Sequence, residues 1–141
     1  MGMEHGVDSI GGVSVRFLDD SRDLRPEQLR GFCEGWSKPL SEDELLRVIK
    51  GSTHVVLAQD AVGGHVIGFI TAVSDGTFAA YIPLLEVLPL FRGQGIGTQL
   101  VNRMLEKLRD YRMVDLMCDT NLVGFYQRFS LRRMGGMGLR R

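Results

Sequence analysis

Apolar and polar positions alternate over residues 13–17, "VSVRF", in the two-residue period of a half-buried strand. "HVVLAQ" and "HVIGFITAV" are β-branched and apolar throughout, and the "DAVGG" between them makes the pair an antiparallel hairpin. "AAYIPLLEVLP" predicts a strand in its second half, where Pro83, which cannot donate to a ladder, marks an edge, an entry or a bulge. Over residues 98–110, "TQLVNRMLEKLRD", the period lengthens to that of a helix. Leu100, Val101, Met104, Leu105 and Leu108 share one face, and Arg103, Glu106, Lys107 and Arg109 lie opposite. "RPEQLRGFCEGW" predicts a short helix opening at Pro26, and "LSEDELLRVIK" a second one behind a capping box of Ser41 and Glu44. "VDLMC" predicts a further strand, "LVGFYQRF" a short helix, and the tail "LRRMGGMGLRR" a last hairpin around Gly135 and Gly136.

The element order is therefore β, α, α, β, β, β, α, β, α. The strand, glycine loop, helix and strand across residues 84–118 form a βαβ crossover, which demands two parallel strands beside the antiparallel ones. The expected class is α/β (α+β) with a mixed central sheet. A chain of 141 residues with 44% hydrophobic content suffices for one domain. We assign it to residues 13–141, behind a loose glycine-containing arm over residues 1–12.

Charge and cysteine content narrow the chemistry. Lys plus Arg equals Asp plus Glu at 17 each, so no global field favours nucleic acid or an anionic membrane, and any anion site must be local. Cys33 and Cys118 are too far apart for a zinc or disulfide signature, and Cys118 is expected in the core. His54 and His65 lack carboxylate or thiol partners at ligand spacing; no metal is expected, and both are placed at solvated strand ends. The first twelve residues hold no apolar stretch of secretory type, and no run approaches the ~20 residues of a membrane span. A cytoplasmic protein is the expectation.

The segment "LFRGQGIGTQL" places Gly93, Gly95 and Gly97 directly before the clearest helix of the chain. A helix N-terminus carries about four unbonded N–H groups and roughly half a positive charge, so it holds a phosphate without a lysine. Three missing Cβ atoms open that approach for the amides of Arg92, Gly93, Gln94, Gly95, Ile96, Gly97 and Thr98, and the Arg92 side chain can add a charge-assisted bond. The Walker pattern fails for want of a lysine at Gly97 or Thr98, and the dinucleotide fingerprint fails at Thr98. A bare strand-to-helix turn is the remaining alternative.

With these residues in place, "EVLPLFRGQGIGTQLV" resembles the acetyl-CoA signature of the GNAT superfamily of N-acetyltransferases. Arg92, Gly95 and Gly97 meet its Arg/Gln-x-x-Gly-x-Gly/Ala motif, and Val87-Leu88-Pro89 its preceding Val-x-Pro. "DTNLVGFYQRFSL" resembles the family's second motif, with Ser130-Leu131 where Gly-Phe is usual. The resemblance implies that the two parallel strands splay apart, with the pantetheine arm of coenzyme A in the gap against Val87 and Leu88. It further implies an acetyl transfer to a primary amine, on a small molecule or a protein, by direct attack in a ternary complex.

The same resemblance makes Tyr126 the general acid near the sulfur. Glu86 is the base candidate from strand alternation, sharing a face with Leu84 and Leu88, and an arginine pairing with it structurally is the open alternative. Asp119, where the family often has Asn, has three open roles: orienting pantetheine, helping to deprotonate the amine, or beginning the helix. Helices one and two, with Glu34 and Trp36, are expected on the acceptor side. The tail from Leu131 is short for the strand pair that walls the acceptor site in the family, which leaves that pocket open or completed by a second copy in a homodimer. A catalytically inactive acyl-CoA-binding sensor or complex subunit is the rival reading.

Overall fold

Six segments of strand assemble in chain order into a single sheet, β1-β2-β3-β4-β5-β6: β1 (Val7–Ile10), β2 (Val13–Leu18), β3 (His54–Asp60), β4 (Val66–Ser74), β5 (Ala79–Val87) and β6 (Met113–Leu116). Every neighbouring pair is antiparallel except β5 and β6, which run parallel, so the expected mixed sheet is present. The computed structural model describes residues 6–141. Helices α1 (Glu42–Gly51), α2 (Ile96–Lys107) and α3 (Val123–Gln127) complete the fold. Among the described residues, no helix is long and apolar enough to cross a membrane.

Two apolar layers sandwich the sheet. On one face, Ile96, Leu100, Val101, Met104 and Leu108 of the α2 region pack on Val15, Phe17, Val56, Ile70 and Ile82. Each large side chain removed from water there is worth about 1.5–3 kcal/mol. Gly68 of the central strand β4 lets α2 settle closely, because a Cβ at that position would lie 3.1 Å from a Leu100 methyl. On the other face, Leu45 and Ile49 of α1 pack with Leu29, Phe32 and Cys33 on Leu57, Val66 and Phe69. Helix α1 begins as its capping box predicts, with Glu44 N–H on Ser41 Oγ and Ser41 N–H on Glu44 Oε1, both at 3.1 Å.

Several elements differ from the sequence reading. Residues 7–10, assigned to a loose arm, form β1, hydrogen-bonded to β2 through a two-residue turn. Both turn residues have positive φ, Gly11 at 58° and Gly12 at 82°, which matches the twist of a tight hairpin. Residues 1–5 of that arm lie outside the described residues. The first expected helix shrinks to one 3-10 turn, Pro26–Leu29. Strand β5 begins with the first residue of its segment, Ala79, rather than in the second half, and ends at Val87. The tail hairpin does not form: residues 131–141 adopt neither strand nor helix, and Met134, Met137 and Leu139 stay exposed with no face to bury.

Ser130, three residues beyond α3, has φ at +65°, in the position where the family motif has Gly. Its left-handed backbone costs about 1–2 kcal/mol, against roughly 0.5–1 kcal/mol of extra chain entropy that a glycine would lose on folding. Ser130→Gly is expected to stabilise the fold by about 0.5–1 kcal/mol, read as a melting temperature a few degrees higher.

Candidate active site

The parallel ladder of β5 and β6 runs from Ala79 opposite Met113 to Ile82 opposite Leu116 and stops. At that point β5 also bulges: Thr71 pairs with Leu84 and Val73 with Tyr81, leaving Ile82 and Pro83 opposite Ala72 alone. Beyond it, β5 has a partner only in β4. Leu88 N–H donates to Ile67 O of β4 at 2.9 Å, so alternation turns the backbone groups of Leu85 and Val87 the other way, into the gap left by β6. This is the splay that the family resemblance implies.

Directly after this free edge, a 3-10 turn (Pro89–Phe91) leads into the glycine loop. Gly93 and Gly95 have φ of 74° and 88°, so every second residue is left-handed, and such an alternation makes successive N–H groups converge as a nest for an anion. Gly95 is the N-cap of α2 and supplies no side-chain cap. The amides of Ile96, Gly97 and Thr98 therefore open onto the loop without intrahelical partners. Buried Ile96 anchors the loop in the core. A Cβ at Gly97 would meet only ordinary contacts, 3.7 Å from Phe125 and 3.9 Å from Val87, so the protein's own packing would accept a methyl there.

The Arg92 amide donates to Pro89 O at 3.4 Å and its Nε to Val87 O at 2.8 Å, which holds it against the end of β5. A different arginine reaches the helix end: Arg128 donates from Nη2 to Thr98 Oγ1 at 2.8 Å. Spacing along the sequence does not single out Arg128, because its approach to Thr98 joins residues 30 positions apart. The Gln94 side chain folds back over the β1–β2 turn. Its Oε1 is buried without a hydrogen-bond partner, and a Cβ added to Gly11 would collide with this amide.

Glu86 points to the opposite face from Val87, toward the chain between the Pro26–Leu29 turn and α1. Its Oε1 accepts the backbone N–H of Cys33 at 2.9 Å, and its Oε2 is buried with no partner. Burial raises its carboxyl above the usual range, against the lowering effects of the Cys33 N–H and of the Arg92 guanidinium. The donor loop is unusual in its own right. Gly31, Cys33 and Gly35 have φ of 96°, 65° and 82°, the same alternation as at residues 93 and 95. Cys33 is buried and holds a left-handed conformation that costs a non-glycine residue about 1–3 kcal/mol. Leu88 lies against this loop as well, its Cδ2 3.3 Å from a Cβ position on Gly31. Glu34 and Trp36 follow on the same loop, both exposed.

Tyr126 lies on the other side of the gap, half-buried among the residues that pack under α2. Its ring meets Phe125 edge-on at 5.0 Å. Burial raises its phenol above the ordinary value, and Cys118 nearby raises it further. Cys118, expected in the core, is exposed, because β6 ends at Leu116 and the chain leaves the sheet before reaching it. Asp119 begins the Thr120–Leu122 turn through its backbone carbonyl, which accepts Leu122 N–H at 2.9 Å, and its side chain caps nothing. No contact joins Glu86 to Tyr126; they flank the free edge of β5 from its two faces.

The histidines lie elsewhere. His54, expected at a solvated strand end, is half-buried with Nε2 2.9 Å from the Tyr111 hydroxyl, and burial lowers its pKa, with a further lowering from Lys107. His65 Nε2 sits 3.1 Å from Arg30 O. Among the described residues, no cluster of three or more His, Cys, Asp and Glu could hold a metal ion.

Comparison with known proteins gives this geometry its context. The Acetyltransferase (GNAT) family profile matches residues 18–130. A crystal structure from Deinococcus radiodurans R1, described as that of a candidate acetyltransferase, superposes with a TM-score of 0.86 at 44% identity, covering 90% of this chain and 88% of that one. An uncharacterised N-acetyltransferase, ycf52, of Gracilaria tenuistipitata var. liui is 38% identical over 126 residues, 86% of this chain and 69% of that protein. Soybean histone acetyltransferase TAP1 is 28% identical over 83% of this chain and 56% of its own length. The match spans both the glycine loop at the head of α2 and the aromatic helix α3: the chain belongs to the GNAT family of acetyltransferases.

Proposed function

We propose that this protein transfers the acetyl group of acetyl-CoA to a primary amine by direct attack within a ternary complex. The observation that carries the reading is the junction of a free strand edge with an uncapped helix end: Leu85 offers its backbone donor and acceptor to the gap and Val87 its N–H, and the nest of Gly93 and Gly95 opens beside it. A pantetheine arm fits the first and a pyrophosphate the second. Acetyl-CoA supplies the acyl group already activated as a thioester, so the protein needs no nucleophile of its own.

The remaining work is proton transfer. Glu86 takes a proton from the acceptor ammonium, directly or through a water, at the unpartnered Oε2; the raised pKa brings this carboxylate closer to the basicity such a step requires. The neutral amine forms the C–N bond as the C–S bond breaks. Tyr126, kept protonated by its raised pKa, gives its proton to the departing sulfur, and the second proton of the attacking nitrogen passes, through water, back to the phenolate as the neutral amide forms. The acceptor enters from the side of the Gly31–Gly35 loop, where a depression lined by Phe32, Leu40, Glu42 and Asp43 opens beside α1. The name of the soybean relative points to a protein amine as one class worth testing.

Titration with acetyl-CoA followed by thiol release over a pooled amine library tests the whole reading. Binding with release supports a transferase, binding without release favours the acyl-CoA sensor, and absence of binding overturns both. Gly95→Asp sets a carboxylate at the nest and is expected to abolish acetyl-CoA binding. Gly97→Ala should fold at least as stably as the parent, so any loss of affinity there reports space taken by the ligand.

Tyr126→Phe is expected to lower kcat while leaving CoA affinity within about twofold, with a loss of the order of a hundredfold if proton transfer is rate-limiting. Glu86→Gln should lower kcat/KM by about a hundredfold or more and remove the acid limb of the pH profile, whose midpoint lies above the ordinary carboxylate range. Stability runs in the opposite direction. A carboxyl whose folded pKa is raised penalises the fold only once it ionises, so Glu86→Gln should match the parent at pH 4 and melt higher at pH 7.

A further inference from the structure

Arg128 is exposed and yet held in one place by three contacts. It follows the last residue of α3, and its Nη2 donates to Thr98 Oγ1 in the first turn of α2 at 2.8 Å. The guanidinium lies over two aromatic rings, 5.1 Å from the centroid of Phe125 and 5.6 Å from that of Phe129. Phe125 in turn sits against Gly97. These contacts hold a permanent cation at the positive end of the α2 dipole, where a cation is disfavoured unless an anion stands between them. No carboxylate supplies that anion: among the described residues, the acids of the ion pairs are Asp8, Asp19, Asp20, Glu27, Glu42 and Glu106, and none pairs with Arg128.

We propose that Arg128 is the side chain that binds a phosphate group of coenzyme A at the head of α2, the part that sequence spacing gives to Arg92. The inference rests on the coenzyme A reading above and assigns a new residue to it. Thr98 engages one N–H of the guanidinium fork, leaving its other donors for oxygen acceptors, and the two phenylalanines fix the plane of the fork before the ligand arrives. Arg92 spends its Nε on Val87 O, which ties its guanidinium to the end of β5, five residues back in the chain, rather than to the first turn of α2. The coenzyme carries phosphate in two places, the pyrophosphate and the ribose 3′-phosphate, and a guanidinium at this site suits either.

Calorimetric titration of the full chain with CoA and with 3′-dephospho-CoA, each at two salt concentrations, tests the assignment on the parent, Arg128→Gln and Arg128→Lys, with melting curves checking that each variant folds. Arg128→Gln is expected to weaken CoA about tenfold and to flatten the salt dependence of its affinity, with Arg128→Lys recovering part of both. If the parent prefers CoA over the dephospho form and Arg128→Gln erases that preference, the contact is with the 3′-phosphate. If both ligands weaken by the same factor with a flatter salt slope, the contact is with the pyrophosphate. Affinity within about twofold of the parent overturns the proposal. So does a loss of affinity with the salt slope unchanged and no recovery in Arg128→Lys, which marks a packing role. A parent that binds neither ligand overturns the coenzyme A reading itself, an outcome distinct from both.

Discussion

The free edge of β5 is the constraint on which the rest of the structure depends. A parallel pair of strands ordinarily stays paired, since each unmade ladder bond exposes a donor and an acceptor. Here the ladder closes over four residue pairs and then cannot continue past Pro83, which has no N–H to give. The same proline falls at the bulge against β4, so one residue both ends the pairing on one side and distorts it on the other. Everything assigned to chemistry sits around the resulting gap: Val87 at its rim, Glu86 on one face, Tyr126 beyond the other, and the glycine loop at its mouth.

Two loops beside that gap present backbone N–H groups in the same way. The loop at residues 93–95 and the loop at residues 31–35 share one device, left-handed residues at alternate positions. In the first, two glycines adopt this conformation without strain and present amides to the open side. In the second, Cys33 adopts it at a cost and presents its amide to Glu86 inside the protein. A single neutral N–H holds one carboxylate oxygen in place and leaves the other unsatisfied, so the group is oriented without being neutralised. An arginine partner in the same place would have fixed the position of Glu86 but pushed its pKa down, away from that of a useful base.

Much of this was legible in the sequence, for identifiable reasons. Helix α2 and the β3–β4 hairpin have long, unambiguous periodicity, and the capping box of Ser41 and Glu44 sets the start of α1 to the residue. The first expected helix rests on Pro26 at its opening, yet the helical turn closes after Leu29, and Leu29, Phe32 and Cys33 are all buried. The chain buries them through turns instead, and the sequence marks those turns with Gly31 inside the stretch and Gly35 just beyond it. The apolar run "VDLMC" has the pattern of a strand throughout and so places Cys118 in the core, whereas β6 ends two residues before it. The direction of Arg92 and the arrival of Arg128 at Thr98 depend on side-chain paths across 30 residues, which no local pattern encodes.

The contact between Gly11 and Gln94 changes how the first hairpin should be regarded. Taken alone, a Gly-Gly turn between two short strands is the most interchangeable kind of segment, open to Asn-Gly, Asp-Gly or an inserted residue. Here its tip is roofed by a side chain from the glycine loop, more than eighty positions away in the chain. Variation at the turn is therefore filtered by the shape of the loop before it is filtered by the hairpin's own geometry. An edge strand that contributes little to the core thereby acts as a gauge for the backbone of the glycine loop.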